Sequence, residues 1–425
     1  MTVDTIYALS SGSPPAAIAV LRISGPRADA VLEALAKTLP PPRMATFAAL
    51  AVSGEALDRA LVLRFPGPAS ATGEDVAELH LHGGRAVVAR VLEALAAMEG
   101  LRPAAPGEFT RRAFENGRID LAEAEGLADL LQAETEAQRR SALAMAGGAL
   151  SGRIHDWQER LLELAARLEA VLDFSDEGEV GEGLPSGWAE GLEGLSGEMG
   201  AMLARPPAER LRDGVRVVIA GPPNSGKSSL LNWLAGRQAA ITSAIAGTTR
   251  DLVEAPTGIG GTPFLLVDTA GLRDTDDEVE TIGVARARDS MAAADLILWL
   301  GAPADCPAPE RSFLVQSKID IAEPDPAAEI AVSSETGEGM DRLVNLLIAR
   351  AQALLPGEGE VALNARHREA IGAAHERLIE AGQSGDLLLK AEALRQARLE
   401  LDRITGRAGV EDMLDALFGR FCLGK

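Results

Sequence analysis

The sequence predicts a multidomain protein built from an α+β N-terminal domain, an α-helical bundle domain and an inserted α/β P-loop domain. Three observations lead there. Short strand and helix patterns mix up to about residue 118, leucines and alanines recur at helical spacing on both sides of the middle, and between those flanks strand-like and helical segments alternate after a complete phosphate-binding loop. The expected boundaries are 1–118 for the N-terminal domain, 119–210 and 356–425 for the two parts of the helical domain, and 211–355 for the inserted module.

The first part carries strand patterns over 18–23, 61–65 and 76–81 and helical stretches near 26–37 and 84–98, punctuated by Pro40-Pro41-Pro42 and Pro66-Gly67-Pro68. The second repeats leucine at Leu121, Leu127, Leu130 and Leu131, and later at Leu161, Leu164, Leu168 and Leu172, with charge between, as packed helices require. An acidic, glycine-rich stretch over 175–187 reads as a solvated loop. After Pro356-Gly357-Glu358-Gly359 the helical pattern resumes.

Composition narrows the function classes. With 425 residues, 47% of them hydrophobic, the chain can bury real cores, and its net charge of −22 argues against a general cationic surface for nucleic acid. Any RNA contact is therefore expected to be local or shared with a partner. Cys306 and Cys422 form neither a disulfide framework nor a zinc pattern, which fits a reducing cytoplasm. The N-terminus lacks a basic and apolar leader, and no apolar run reaches membrane-spanning length, so a soluble, untargeted, cytoplasmic protein with no membrane partner is expected.

Lysine occurs only five times, and one falls in Gly221-Pro222-Pro223-Asn224-Ser225-Gly226-Lys227-Ser228. In such a loop backbone N–H groups cradle phosphates, the lysine reaches the β/γ-phosphates and the serine hydroxyl reaches Mg²⁺. A buried strand over 215–220 precedes it and a helix follows, so a nucleoside triphosphate is the expected ligand. Downstream, Phe264-Leu265-Leu266-Val267-Asp268 ends a strand in a carboxylate suited to the Mg²⁺ shell and continues as Thr269-Ala270-Gly271. Gly247-Thr248-Thr249-Arg250-Asp251 offers a hydroxyl to the same ion from a switch segment.

Guanine is indicated by Gln316-Ser317-Lys318-Ile319-Asp320, where Asp320 can accept from N1–H and the exocyclic amine while Lys318 packs over the base. Ser317 stands where asparagine is usual. Ser333-Ser334-Glu335 fits either a last base-contacting loop or an ordinary turn. Leu272 occupies the place where many GTPases carry a water-orienting glutamine, so another polar group must act, and Asp274, Asp276, Asp277, Glu278 and Glu280 supply candidates within a mostly solvated segment.

These motifs, with Leu21-Arg22-Ile23-Ser24-Gly25, Thr72-Gly73-Glu74-Asp75-Val76, His82-Gly83-Gly84, Pro106-Gly107-Glu108-Phe109-Thr110-Arg111-Arg112, Ile404-Thr405-Gly406 and the closing Phe421-Cys422-Leu423-Gly424-Lys425, resemble the MnmE or TrmE family of tRNA uridine-modification GTPases along essentially the whole chain. The resemblance implies a folate-binding, dimerising N-terminal domain, a helical domain and an inserted G domain. It implies a K⁺-dependent GTP hydrolase, active as a homodimer. With a flavin-containing partner of the MnmG/GidA type, where the FAD resides, such a protein modifies carbon 5 of the wobble uridine (U34) of certain tRNAs. The one-carbon donor is 5,10-methylenetetrahydrofolate, with 5-formyltetrahydrofolate as an analogue.

By motif position the resemblance assigns GTP to Asn224, Ser225, Gly226, Lys227, Ser228 and Ser229, to Ser243, Ala244, Ile245, Ala246, Gly247, Thr248 and Thr249, to Asp268, Thr269, Ala270 and Gly271, and to Ser317, Lys318, Asp320, Ser333, Ser334 and Glu335. Within that set Mg²⁺ falls to Ser228 and Thr249, and K⁺ to Asn224, Ser243, Ile245 and Thr248. Glu280 is placed to position the catalytic water, and Arg250 and Cys422 join it as catalytic candidates, although a small buried hydrophobe is an equal reading of Cys422. Folate falls to Arg22, Glu78, Arg118 and Lys425, with a carboxylate for the pterin amino edge and cations for the glutamate tail. Without the resemblance Arg22 and Glu78 read as surface charges. Two other classes stay in view: a GTP-gated ribosome-assembly or signalling switch without modification chemistry, and a folate-binding module with a degenerate G domain.

Overall fold

A computed structural model describes residues 4–174, 184, 186–236, 254–269, 288–357, 361–407, 411–419, 421 and 424. The chain divides into two compact units, 1–128 with 402–425, and 129–401.

The first unit is built on a six-stranded sheet in the order β3-β4-β5-β2-β1-β6. Its strands are β1 (Thr5–Leu9), β2 (Ile18–Ser24), β3 (Thr46–Val52), β4 (Glu55–Phe65), β5 (Val76–His82) and β6 (Leu101–Pro103). Side chains alternate across a strand, so Ala19, Leu21 and Ile23 of β2, with Leu79 and Leu81 of β5, point into one core. Helices α1 (Ala28–Ala36) and α2 (Arg85–Ala96) close that core with Val31, Leu32, Leu35, Val91 and Leu95. The same alternation turns Arg22 and Glu78, paired across β2 and β5, to the opposite face. Three strands go beyond the sequence reading: β1, β3 and β6. The alanine-rich β3 has no strong strand propensity of its own and is specified by pairing with β4, which begins at Glu55, well before the apolar run at 61–65.

Helix α3 (Glu108–Glu115) follows β6 in this unit, and its Arg112, with 2% side-chain exposure, gathers a charge network. Its guanidinium donates to Asp4 Oδ1 at 2.9 Å, Glu74 Oε2 at 3.0 Å and Glu108 Oε1 at 3.1 Å. Ser24 Oγ adds a 2.8 Å hydrogen bond to Glu74. Burial on its own would raise the Glu108 carboxyl, but the guanidinium groups of Arg102 and Arg112 and the Ala105 N–H hold it below its ordinary value. Beyond α3, Leu121 and Ala124 of α4 (Leu121–Gln132) pack with Leu414, Phe418 and Phe421 near the chain end.

The second unit opens with α5 (Glu136–Ala146), capped by Thr135, whose hydroxyl accepts from Gln138 N at 3.3 Å while Gln138 Oε1 accepts from Thr135 N at 2.9 Å. Helices α6 (Ala149–Phe174), α7 (Trp188–Leu203) and α8 (Glu209–Asp213) follow. A second six-stranded sheet then runs in the order β12-β11-β10-β7-β9-β8, from β7 (Val215–Ala220), β8 (Glu254–Ile259), β9 (Thr262–Asp268), β10 (Leu296–Trp299), β11 (Ser312–Gln316) and β12 (Ile330–Ala331). All its pairings are parallel except the β8–β9 hairpin. Both faces of the central strands are buried, Val217 and Ile219 to one core and Val218 to another, which explains why β7 reads as an unbroken apolar run. Helices α9 (Lys227–Gly236) and α10 (Met340–Leu354) cover the first face with Leu230, Leu234, Leu343 and Leu347.

After α10 come α11 (Ala365–Gln383), α12 (Leu387–Thr405) and α13 (Glu411–Phe418). Segments on either side of the α/β module pack together, α7 against α6 and α11. Two buried indoles lock the bundle. Trp157 Nε1 donates to Glu198 at 3.0 Å and Trp188 Nε1 to the Leu164 carbonyl at 2.9 Å, with Lys390 Nζ 5.3 Å above the Trp188 ring. Among the described residues no helix is long and apolar enough to cross a membrane.

Candidate functional site

The phosphate loop lies at the carboxyl end of β7, the central parallel strand, and leads into the N-terminus of α9, the end of a helix that favours anions. Three residues on the way have positive φ, Gly221 among them. Asn224, at φ 61°, tolerates the left-handed region better than most side chains, and Gly226, at φ 90°, leaves open a space in which a Cβ would stand 3.1 Å from Ser317 Oγ. The buried Lys227 side chain folds back along the loop, with Nζ donating to Pro222 O at 2.8 Å and Gly221 O at 3.1 Å. Ser225 Oγ is buried and makes no hydrogen bond, a donor available to a phosphate oxygen.

At the start of α9, Ser228 Oγ donates to Asp268 Oδ2 at 2.6 Å. The contact joins two motifs 40 residues apart because β9, which ends in Asp268, is the parallel neighbour of β7. Thr269 Oγ1 fixes the next position by donating to Ile219 O at 3.0 Å. A hydroxyl and a carboxylate converging here are the hard oxygen donors that Mg²⁺ takes alongside phosphate oxygens. Ser229 is exposed on α9.

The base-side loops reach the same place. Ser317 Oγ donates to Ser225 O, and Lys318, at φ 62°, donates from Nζ to Asn224 O at 2.8 Å. Asp320 is exposed, and its Oδ1 accepts from Ser333 Oγ at 2.7 Å. Ser333 is wholly buried and also accepts from Glu335 N and Thr336 N, so it orders the loop that carries the half-buried Ser334 and the exposed Glu335. Ser243, Ala244, Ile245, Ala246, Gly247, Thr248, Thr249, Arg250, Ala270, Gly271 and Glu280 lie outside the described residues, as do Cys422 and Lys425.

A second constellation occupies the face of the N-terminal sheet opposite the core closed by α1 and α2. Arg22 donates from Nε and Nη2 to Glu78 Oε1 at 3.0 and 2.8 Å, and its guanidinium stands 5.9 Å from the centre of the Phe109 ring. Oε2 of Glu78 meets His80 Nε2 at 3.1 Å. Burial pushes the Glu78 carboxyl up, but hydrogen bonds from His80 and Arg22 outweigh it and keep the group below its ordinary value, hence ionised at neutral pH. Arg118 is exposed and lies beside the loop entering β5, its Cγ 3.2 Å from where a Cβ on Gly73 would stand.

Sequence reasoning missed His80, although its two-residue offset from Glu78 puts both on one face of a strand. It also missed Ser10, which donates from Oγ to Gly424 O at 2.8 Å and so fastens the chain end beside β1. Nothing in the sequence links two residues so far apart.

Comparison with known proteins gives this geometry a family. A description of the MnmE helical domain matches residues 121–422, and one of the GTP-binding protein TrmE N-terminus matches 5–118. The chain belongs to the MnmE/TrmE family. A relative from Rhizorhabdus wittichii called tRNA modification GTPase MnmE is 60% identical over 428 residues, covering 99% of this chain and 97% of the relative. Relatives of the same description from Erythrobacter litoralis and Novosphingobium aromaticivorans are 55% and 54% identical, each covering 99% of this chain and 100% of the relative. The G domain of the T. maritima FeoB iron transporter covers 32% of this chain, and 99% of itself, at 24% identity with a TM-score of 0.24, a score too low to carry weight. Membership of the MnmE/TrmE family thus rests on both units.

Proposed function

We propose that this chain is a K⁺-stimulated GTP hydrolase that works as a homodimer with a flavin-containing partner of the MnmG/GidA type to modify carbon 5 of the wobble uridine of certain tRNAs, using a one-carbon unit from 5,10-methylenetetrahydrofolate. The GTP hydrolase acting in tRNA modification follows from the family. The observation that carries the hydrolytic half is the 2.6 Å contact of Ser228 with Asp268 at the mouth of the phosphate loop.

In this reading the N–H groups of the loop and of the first turn of α9 bind the phosphates, and Lys227 exchanges its carbonyl partners for phosphate oxygens. Ser228 and Asp268 would hold Mg²⁺, with Thr249 as a further ligand. Asn224, Ser243, Ile245 and Thr248 hold K⁺. A monovalent cation held there would supply positive charge where other enzymes use an arginine finger. Glu280 orients the attacking water in place of the glutamine that Leu272 replaces, and Arg250 contributes from the switch. Asp320, Lys318 and the 333–335 loop hold guanine.

Arg22, Glu78, Arg118 and Lys425 form the folate site, the ionised Glu78 accepting from the pterin amino edge once it releases Arg22 or His80. Cys422 is a further catalytic candidate. The working arrangement is an N-terminal domain over 1–118, a helical domain from 119–210 and 356–425, and a G domain over 211–355 that pairs with its copy in the dimer.

The deciding experiment is GTP hydrolysis by the full chain in K⁺ and in Na⁺ at matched ionic strength, with G-domain pairing followed in the presence of GDP and aluminium fluoride. Strong K⁺ dependence with pairing is expected. Equal turnover in both salts removes K⁺ from the reading and leaves a simple GTPase.

A further inference from the structure

The loop that reads the base departs from the usual pattern at one residue, and the structure shows how its single donor is used. A serine hydroxyl carries one hydrogen, whereas an asparagine amide carries two. Ser317 Oγ contacts the main-chain oxygen of Ser225, and a carbonyl oxygen can only accept, so the one hydrogen of Ser317 is committed to the phosphate loop. Lys318 makes a parallel tie, from Nζ to Asn224 O at 2.8 Å, with its backbone in the left-handed region. Two adjacent residues of the base loop are thus fastened to two adjacent residues of the phosphate loop.

The two edges of guanine have opposite chemistry. N1–H and the 2-amino group are donors, suited to Asp320, which Ser333 holds in place at 2.7 Å. N7 and O6 are acceptors and need a protein donor. We propose that Ser317 acts as a tether and not as a reader of the base: it joins the base loop to the phosphate loop and gives no hydrogen bond to N7. Guanine recognition by this loop then rests on the donor edge, through Asp320, with Ser333 as its positioning residue. The inference deepens the guanine-nucleotide reading above and depends on it.

The test uses GDP and 7-deaza-GDP, which differ only by the N7 acceptor, each carrying a fluorescent ribose label, with release measured by rapid mixing from the full-length protein. The unsubstituted protein is expected to release both at rates within about two-fold. Ser317→Ala, which breaks the tether, should speed release of both by one common factor, roughly 3- to 10-fold for a lost hydrogen bond. Ser317→Thr, which keeps a hydroxyl, should restore the original rates. A preference of ten-fold or more for GDP over 7-deaza-GDP in the unsubstituted protein would show that N7 is read, and unchanged release from Ser317→Ala would show that the tether has no effect. Either result overturns the proposal, and the first needs no variant to fold. Competition by ADP separates the premise from the inference, because ADP displacing the label as well as GDP does would mean that guanine is not the selected base.

Discussion

At the residue scale, the buried charge network of the first unit sets the strongest stability prediction. Arg112 faces Asp4, Glu74 and Glu108, and removing the cation strips the half-buried Glu74 of its guanidinium partner and leaves Asp4 and Glu108 to Arg102 alone. Arg112→Leu should therefore destabilise the N-terminal unit by about 3–5 kcal/mol, the cost of stranding buried charge. Urea titration followed by a probe in that unit checks this, and a loss below about 1 kcal/mol would mean that the carboxylates rehydrate freely. Glu78 adds a pH signature. Its folded carboxyl titrates below its unfolded value, so the stability it lends is present above the unfolded value and disappears as pH falls through the folded one. The urea midpoints of the original protein and Glu78→Gln should differ at pH 7 and draw together as pH falls below the ordinary carboxylate range. A difference that does not shrink at all as the solution is acidified would point to packing rather than charge.

At the scale of elements, the last turn of chain is seated against the first strand. Gly424 has φ 93°, and a Cβ there would stand 2.1 Å from Leu9 O, so only glycine fits while Ser10 holds its carbonyl. Leu9 and Ser10 directly follow Ala8, whose cross-strand partner is Arg22, so the chain end is anchored close to the Arg22–Glu78 pair. Gly424→Ala should then leave GTP turnover within about two-fold of normal while wobble-uridine modification falls by at least ten-fold, the size expected of a misplaced reacting group. Parallel loss of both activities would mean that the tail supports folding instead. This element was only half legible. The closing motif could be read as a motif, but its seat is made by residues more than 400 positions away, and no local pattern encodes that distance. The strand β3 was hidden for a related reason, since its partner β4, not its composition, makes it a strand.

For the molecule as a whole, the proposed reading assigns nucleotide hydrolysis to one unit and one-carbon chemistry to the other. The catalytic assignment of Glu280 tests how the hydrolytic half works. Glu280→Ala should keep GTP affinity within a few-fold and lose hydrolysis by about 10²-fold or more, the scale of a residue that orients the attacking water. Single-turnover hydrolysis beside equilibrium binding checks both parts. Normal turnover in that variant would move the role to another carboxylate of the 274–280 segment.

The sequence by itself determined the phosphate loop, the strand before it and the helix after it, because loop, apolar run and helical spacing are local signals within about 20 residues. It also determined the motifs at Asp268, at 317–320 and at 333–335. The tertiary structure alone decided which of these groups meet. It set Ser228 on Asp268, Ser317 on the phosphate loop, Ser333 on Asp320, and His80 with Arg22 on the two oxygens of Glu78. The physical reason is that hydrogen-bond partners are selected by strand order and register, and those follow from packing cores between segments far apart in the chain rather than from any short stretch of it.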